Sequence, residues 1–126
     1  YRQLLQEIDI ALDSFPYNGT TTTCETLWAG IPLVTQRGET SAARSGFALL
    51  KAVGLTELAA ADDADYVRIA VALAHDAARL RELRRELPAR FAASPLRDEA
   101  GITRDLEQAY RDMWQRWCRS EAEKTP

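Results

Sequence analysis

The spacing of apolar and polar positions changes several times along the chain, and each change predicts an element. Leu4 and Leu5 within Tyr1–Glu7 predict the end of a helix. Ile8-Asp9-Ile10-Ala11-Leu12-Asp13 alternates, as a half-buried strand does, and stops at Ser-Phe-Pro-Tyr-Asn-Gly, a cluster of turn-forming residues. Four threonines, Thr20 to Thr23, then lead into Cys-Glu-Thr-Leu-Trp-Ala-Gly. Thr22 as a cap with Glu25 three residues later fits a capping box, which predicts a short helix over roughly 23 to 29 with Gly30 as its stop. Ile31-Pro32-Leu33-Val34-Thr35 reads as a second strand, followed by the loop Gln36–Thr40 and an alanine-rich helix closing at Gly54. Leu55–Leu58 reads as one more short strand.

From Asp62 and Asp63 onward the period is helical. Tyr66, Ile69, Leu73, Leu80, Leu83, Leu87 and Phe91 recur at helical spacing, and Pro88 is expected to kink or divide the stretch. After a loop through Ser94-Pro95, a last helix is predicted from the stripe Ile102, Leu106, Tyr110, Met113, Trp114 and Trp117, with a polar tail after Cys118 that is expected to fray. Strand, helix, strand, helix with short loops is the pattern of a parallel sheet, because parallel neighbours need a crossover helix. The fold class is therefore α/β: a parallel sheet with flanking helices, in one domain over residues 1–126, with long helices from about residue 62.

Composition narrows the function classes. Hydrophobic residues make up 46% and charged residues 28% of 126 residues, so the chain can bury a core. A net charge of -3, from 16 basic and 19 acidic side chains, gives no bulk attraction to a polyanion and argues against nucleic acid and anionic membranes as partners. Cys24 and Cys118 form neither a CxxC pair nor a zinc spacing, and a reduced, cytoplasmic setting is expected. No apolar run approaches the roughly 20 residues that span a bilayer. The start, Tyr-Arg-Gln-Leu-Leu-Gln-Glu, is neither a signal peptide nor a Met start, and the chain is expected to be part of something longer. Lysine occurs only at Lys51 and Lys124 while alanine is abundant, a bias expected of a GC-rich bacterial genome.

The threonine segment carries the chemistry. Ligands of open α/β sheets bind at the carboxyl ends of the strands, and the first-turn N–H groups of a helix, unpaired and at the positive end of the peptide dipoles, suit a phosphate. Gly19 lets the backbone come close, and Thr20, Thr21 and Thr22 add hydroxyl donors. A cap needs only one of these side chains, and β-branching weakens the helix that follows, so four in a row favour ligand binding over a solvated turn. Glu25 suits ribose hydroxyls, but the capping box competes for the same oxygens. Glu39 and Arg44, on and after the next strand-to-helix loop, form a secondary candidate in which a guanidinium meets a phosphate. His75 is expected as a surface residue and Cys24 as a small buried side chain. No carboxylate cluster suited to magnesium or manganese is present, so no metal or other cofactor is expected.

At these residues the chain resembles the SPINDLY and O-GlcNAc transferase family of glycosyltransferases. Phe15-Pro-Tyr-Asn-Gly-Thr-Thr-Thr-Thr-Cys-Glu25 and Leu27-Trp-Ala-Gly-Ile-Pro-Leu-Val-Thr35 are similar to the SPINDLY donor-site segment, and Gly38-Glu-Thr-Ser-Ala-Ala-Arg44 to the O-GlcNAc transferase version of the next loop. The similarity continues through Val53-Gly-Leu55, Ser94-Pro95 and Leu106-Glu-Gln-Ala-Tyr-Arg-Asp-Met-Trp114, covering nearly the whole chain. It implies the end of the C-terminal, Rossmann-like lobe of a GT-B enzyme, the N-terminal lobe and tetratricopeptide repeats lying elsewhere. Thr21 and Thr22 would hold the donor pyrophosphate, and Glu25 would take the ribose position where animal enzymes have aspartate.

Thr20 stands where O-GlcNAc transferases commonly have histidine, so the resemblance leaves both UDP-GlcNAc and GDP-fucose as donors. It implies transfer to a protein serine or threonine, with nucleobase contacts and the acceptor base upstream of Tyr1, and hence a fragment with no catalytic residue and no activity by itself. The alternative is a non-catalytic nucleotide-binding or protein-interaction module. Part of the aromatic stripe would normally pack on the missing lobe, and self-association of the fragment through a two-fold contact is expected.

Overall fold

In the computed structural model of the chain, the described residues are Leu5 and Glu7 through Ala122. The helix end predicted at the start falls almost wholly outside them. Three short strands build the sheet: β1 (Ala11–Leu12), β2 (Leu33–Gln36) and β3 (Ala59–Ala60). They run parallel in the order β1-β2-β3, with Ala11 opposite Leu33 and Thr35 opposite Ala59. The expected α/β class and parallel sheet are present. In β2 three consecutive residues, Leu33, Val34 and Thr35, are buried, so both faces of the central strand are covered, as parallel sheets require.

Helix α1 (Thr21–Trp28) crosses from β1 to β2, and α2 (Ser45–Ala52), entered through a 3₁₀ turn at Ala42–Arg44, crosses from β2 towards β3. Threonine is a poor helix former, and α1 is held by burial of Thr23, Thr26 and Leu27 along one side. The segment read as a strand at Leu55–Leu58 is instead a 3₁₀ turn at Thr56–Leu58, and the pairing shifts two residues on, to Ala59–Ala60. Alanine carries little strand signal, so periodicity pointed to the more apolar neighbours.

Helix α3 (Asp63–His75) starts at Asp62, whose carboxylate accepts the Asp65 N–H at 2.8 Å, and α4 (Ala77–Ala92) at Asp76, which accepts the Arg79 N–H at 2.8 Å. The long helical stretch is thus divided at Asp76 rather than at Pro88. Asp76 leaves helical geometry, at φ -102° and ψ 75°, to cap the second helix. Pro88 lies inside α4, where it has no N–H to give the Arg84 carbonyl one turn earlier. Gly30 fills the space there: a Cβ on it would stand 2.6 Å from that carbonyl oxygen. Leu27, Val34, Leu50, Leu55, Leu83 and Leu87 form the centre of the core.

The chain divides into two compact units, one ending at Leu96 and the other beginning at Arg97. The second is dominated by α5 (Glu99–Ala122), which continues as helix past Cys118, where fraying was expected. Its stripe, Ile102, Leu106, Tyr110, Met113, Trp114 and Trp117, is exposed, each side chain at 47% or more. Among the described residues no helix is long and apolar enough to cross a membrane.

Gly30 and Gly54 both adopt positive φ, 83° and 73°, but a Cβ on Gly54 would meet nothing within 4 Å. Gly54→Ala is expected to cost only the left-handed backbone penalty, about 1 to 2 kcal/mol. Gly30→Ala adds a clash with fixed backbone and should cost clearly more, about 3 kcal/mol or above. Urea unfolding of both variants measures the difference.

Candidate functional site

Asp13 directly follows β1, and what this residue does there was not anticipated from sequence. One carboxylate oxygen accepts the Gly19 N–H at 2.8 Å and the other accepts the Thr35 hydroxyl at 2.7 Å, while the Asp13 carbonyl accepts the Tyr66 hydroxyl at 2.9 Å. Burial and the nearby Asp13 charge push the Tyr66 phenol above its usual range, keeping it a donor at neutral pH. Gly46 closes the same spot, since a Cβ there would run into both the Thr35 hydroxyl and the Asp13 carboxylate. The loop from Asp13 to Gly19, with a cis peptide at Phe15–Pro16, is therefore tied back onto the strand that begins it.

Asn18 provides the second tie. Its side chain, 1% exposed, donates to the Ser14 carbonyl at 2.9 Å and the Gln36 carbonyl at 3.5 Å, and accepts the Gly46 N–H at 3.4 Å. Its backbone N–H donates to the Ala42 carbonyl at 3.1 Å. One buried amide thus joins the loop after β1 to the end of β2 and to the start of α2. The sequence marks Asn18 only as a turn former, and burial is what turns it into a fastener.

Beyond these ties, α1 starts without a side-chain cap. Thr20 is the N-cap residue at φ -123° and ψ -69°, its hydroxyl makes no capping bond, and no acidic residue stands in the first turn. The expected capping box of Thr22 and Glu25 is not formed. The helix begins at Thr21, so Thr22 is its second residue and Glu25 its fifth, two positions past the third residue from which a side chain reaches back to the cap. The Thr22 carbonyl instead accepts the Thr26 hydroxyl at 2.7 Å. Thr20, Thr21 and Thr22 are exposed and Thr23 is buried. The Gly19 N–H is committed to Asp13, and a Cβ on Gly19 would come within 2.7 Å of the Thr22 hydroxyl oxygen.

Glu25, Glu39 and Arg44 are all exposed. Glu39 and Arg44 belong to the loop and turn after β2, which Asn18 binds to the threonine loop, so both candidate segments lie at the carboxyl ends of adjacent parallel strands. Arg37, in the same loop, lies over the Phe47 ring at 5.0 Å from its centroid. His75 is exposed at the end of α3. Cys24 is half-buried, and burial together with the Glu25 carboxylate raises its thiol above the usual value, so it stays protonated near neutral pH. Among the described residues no group of three His, Cys, Asp or Glu side chains is placed to hold a metal ion.

Residues 3–106 match the family model described as glycosyl transferase family 41. A probable UDP-N-acetylglucosamine–peptide N-acetylglucosaminyltransferase SPINDLY of Petunia hybrida is 48% identical over 94% of this chain and 13% of its own length. A UDP-N-acetylglucosamine–peptide N-acetylglucosaminyltransferase of Caenorhabditis elegans is 37% identical over 89% of the chain and 10% of its own. A mutant of the Thermobaculum terrenum O-GlcNAc transferase superposes with a TM-score of 0.83 at 39% identity, covering 94% of this chain and 23% of that one. The chain thus spans about an eighth of the petunia protein's length.

Two outcomes check the site's framework. Asparagine at position 13 keeps the shape and can still accept from Gly19, whereas alanine strands both donors. Asp13→Asn is expected to destabilise by about 1 kcal/mol and Asp13→Ala by about 3 kcal/mol, read from urea midpoints. In the native chain iodoacetamide should alkylate the exposed Cys118 well before Cys24, and equally fast in denaturant, as peptide mass mapping would show.

Proposed function

Since the chain belongs to glycosyl transferase family 41, we propose that it supplies the donor-diphosphate grip of a protein O-glycosyltransferase. In this reading a longer polypeptide transfers GlcNAc or fucose from UDP-GlcNAc or GDP-fucose to a serine or threonine hydroxyl. The observation that carries it is the uncapped start of α1, with its first-turn hydroxyls exposed and no acidic residue in that turn, at the carboxyl end of a parallel strand. N–H groups that no side chain satisfies, at the positive end of the helix dipole, are oriented before a ligand arrives.

Transfer leaves a nucleoside diphosphate on which negative charge develops as the glycosidic bond breaks. The N–H groups of α1 and the hydroxyls of Thr21 and Thr22 stabilise that charge, and Thr20 lies beside them, towards the sugar. Glu25 faces solvent one turn further along, where a carboxylate can accept from ribose hydroxyls. Arg44, with Glu39 on the neighbouring loop, forms the outer rim. Asp13 and Asn18 touch none of the reacting atoms; they position the loop. The group that deprotonates the acceptor is assigned to another part of the longer polypeptide, so this chain alone binds without catalysing.

In the full-length enzyme, Thr21→Ala and Thr22→Ala should each weaken UDP or GDP binding by about 1 to 3 kcal/mol, whereas His75→Ala and Cys24→Ser should leave it unchanged. Titration calorimetry with both nucleotides measures this and also names the base. Wild-type affinity in both threonine variants would remove the proposal.

A further inference from the structure

The ties behind the threonine loop converge on one residue, where the chain leaves β1. The Asp13 N–H still follows the sheet register and donates to the Val34 carbonyl at 2.9 Å. Its carbonyl instead accepts the Tyr66 hydroxyl at 2.9 Å, from α3, 53 positions further along the chain. A phenol thus stands where a continuing ladder would have supplied a backbone donor.

Both ends of that tie are fixed. Tyr66 lies in the first turn of α3, where its N–H donates to the Asp62 carbonyl at 2.9 Å, and the Asp62 carboxylate caps the same turn through the Asp65 N–H. The tyrosine ring packs against the core, which leaves its hydroxyl little freedom to point elsewhere. A second hydroxyl comes from the central strand. Thr35, 0% exposed and stiff at its branched Cβ, donates to one oxygen of the Asp13 carboxylate at 2.7 Å. The other oxygen accepts the N–H of Gly19, the residue just before the Thr20 N-cap of α1.

We propose that Tyr66 and Thr35 are positioning residues of the donor site, a role that rests on α1 meeting the donor diphosphate as proposed above. Through Asp13 they set where α1 begins, and so where its first-turn amides point, without touching the donor. One hydroxyl holds the Asp13 backbone and the other its carboxylate, so the residue can neither turn nor slide against the sheet. Hydrogen bonds from amides to an anion weaken steeply with angle. A shifted or tilted start of α1 therefore loses affinity while the fold persists.

The variants separate hydroxyl from bulk. Tyr66→Phe keeps the ring, Thr35→Val keeps the branched shape, and Thr35→Ser keeps the hydroxyl. In the full-length enzyme, Tyr66→Phe and Thr35→Val should each weaken UDP or GDP binding about threefold to tenfold, the range of one net hydrogen bond, with Thr35→Ser within about twofold of wild type. Donor KM should rise alongside, and the KM for the acceptor should stay. In the same enzyme without nucleotide, hydrogen exchange read by mass spectrometry should be at least about threefold faster over 14–24 in Tyr66→Phe and Thr35→Val, and unchanged over α4. Gly54→Ala, which destabilises away from the loop, should alter neither binding nor that exchange.

The outcomes divide cleanly. Wild-type affinity in Tyr66→Phe or Thr35→Val, with Thr21→Ala weakened, removes that residue from the role and leaves the donor grip standing. Thr35→Ser as weak as Thr35→Val, or an equal loss in Gly54→Ala, would trace the effect to packing or stability and overturn the positioning role. Faster exchange over 14–24 with wild-type affinity in every variant, Thr21→Ala and Thr22→Ala included, would refute the donor grip itself and this role with it.

Discussion

The two oxygens of the Asp13 carboxylate fix the end of the first strand, and the rest of the candidate site follows from that constraint. One oxygen turns the chain back at Gly19; the other reaches across the sheet to Thr35 on the central strand. Charge-assisted bonds of this sort are about twice as strong as neutral ones. A carboxylate in this position must keep both its donors, because desolvating a charge without partners is costly. The path from strand to helix therefore has little freedom, and α1 begins at a defined place relative to the sheet.

That arrangement separates the groups that hold the loop from those the proposed function assigns to the donor. The polar groups that shape the loop, Asp13, Asn18 and the Gly19 N–H, are occupied with one another. In the proposed function, the groups that meet the donor are the first-turn amides of α1 and the hydroxyls of Thr20, Thr21 and Thr22. A capping side chain at Thr20 would have taken one of those amides, and an acidic first turn would have opposed an anion. Neither is present. The helix forgoes local stability at its start, and burial of Thr23, Thr26 and Leu27 offsets the loss.

Much of this was legible in the order of residues. Turn clusters and β-branched runs located the first two strands, and the glycines at 30 and 54 marked two helix ends, both with positive φ. Periodicity failed where another force decided. Ala59–Ala60 pairs as a strand because it lies beside β2, without a side-chain signal of its own. Asp76 ends one helix and caps the next, a use of a polar side chain that outweighs the more conspicuous Pro88. The threonine loop was found as a chemical anomaly, four hydroxyls where a cap needs one. The residues that hold it, Asp13 and Asn18, read as a strand end and a turn, since tertiary partners 22 and 28 positions away in the chain leave no local mark.

The proline inside α4 has a wider consequence. Without an N–H at Pro88, the Arg84 carbonyl lies open on the helix flank, and the backbone of Gly30 passes against it, with the proline ring alongside. Residues 30, 84 and 88 thus form one joint between α1 and α4, assembled from a missing donor on one side and a missing side chain on the other. Changes at 30 and 88 should not combine additively. A sequence drifting at either position would be expected to carry a compensating change at the other, so the pair would behave in evolution as a single inherited character.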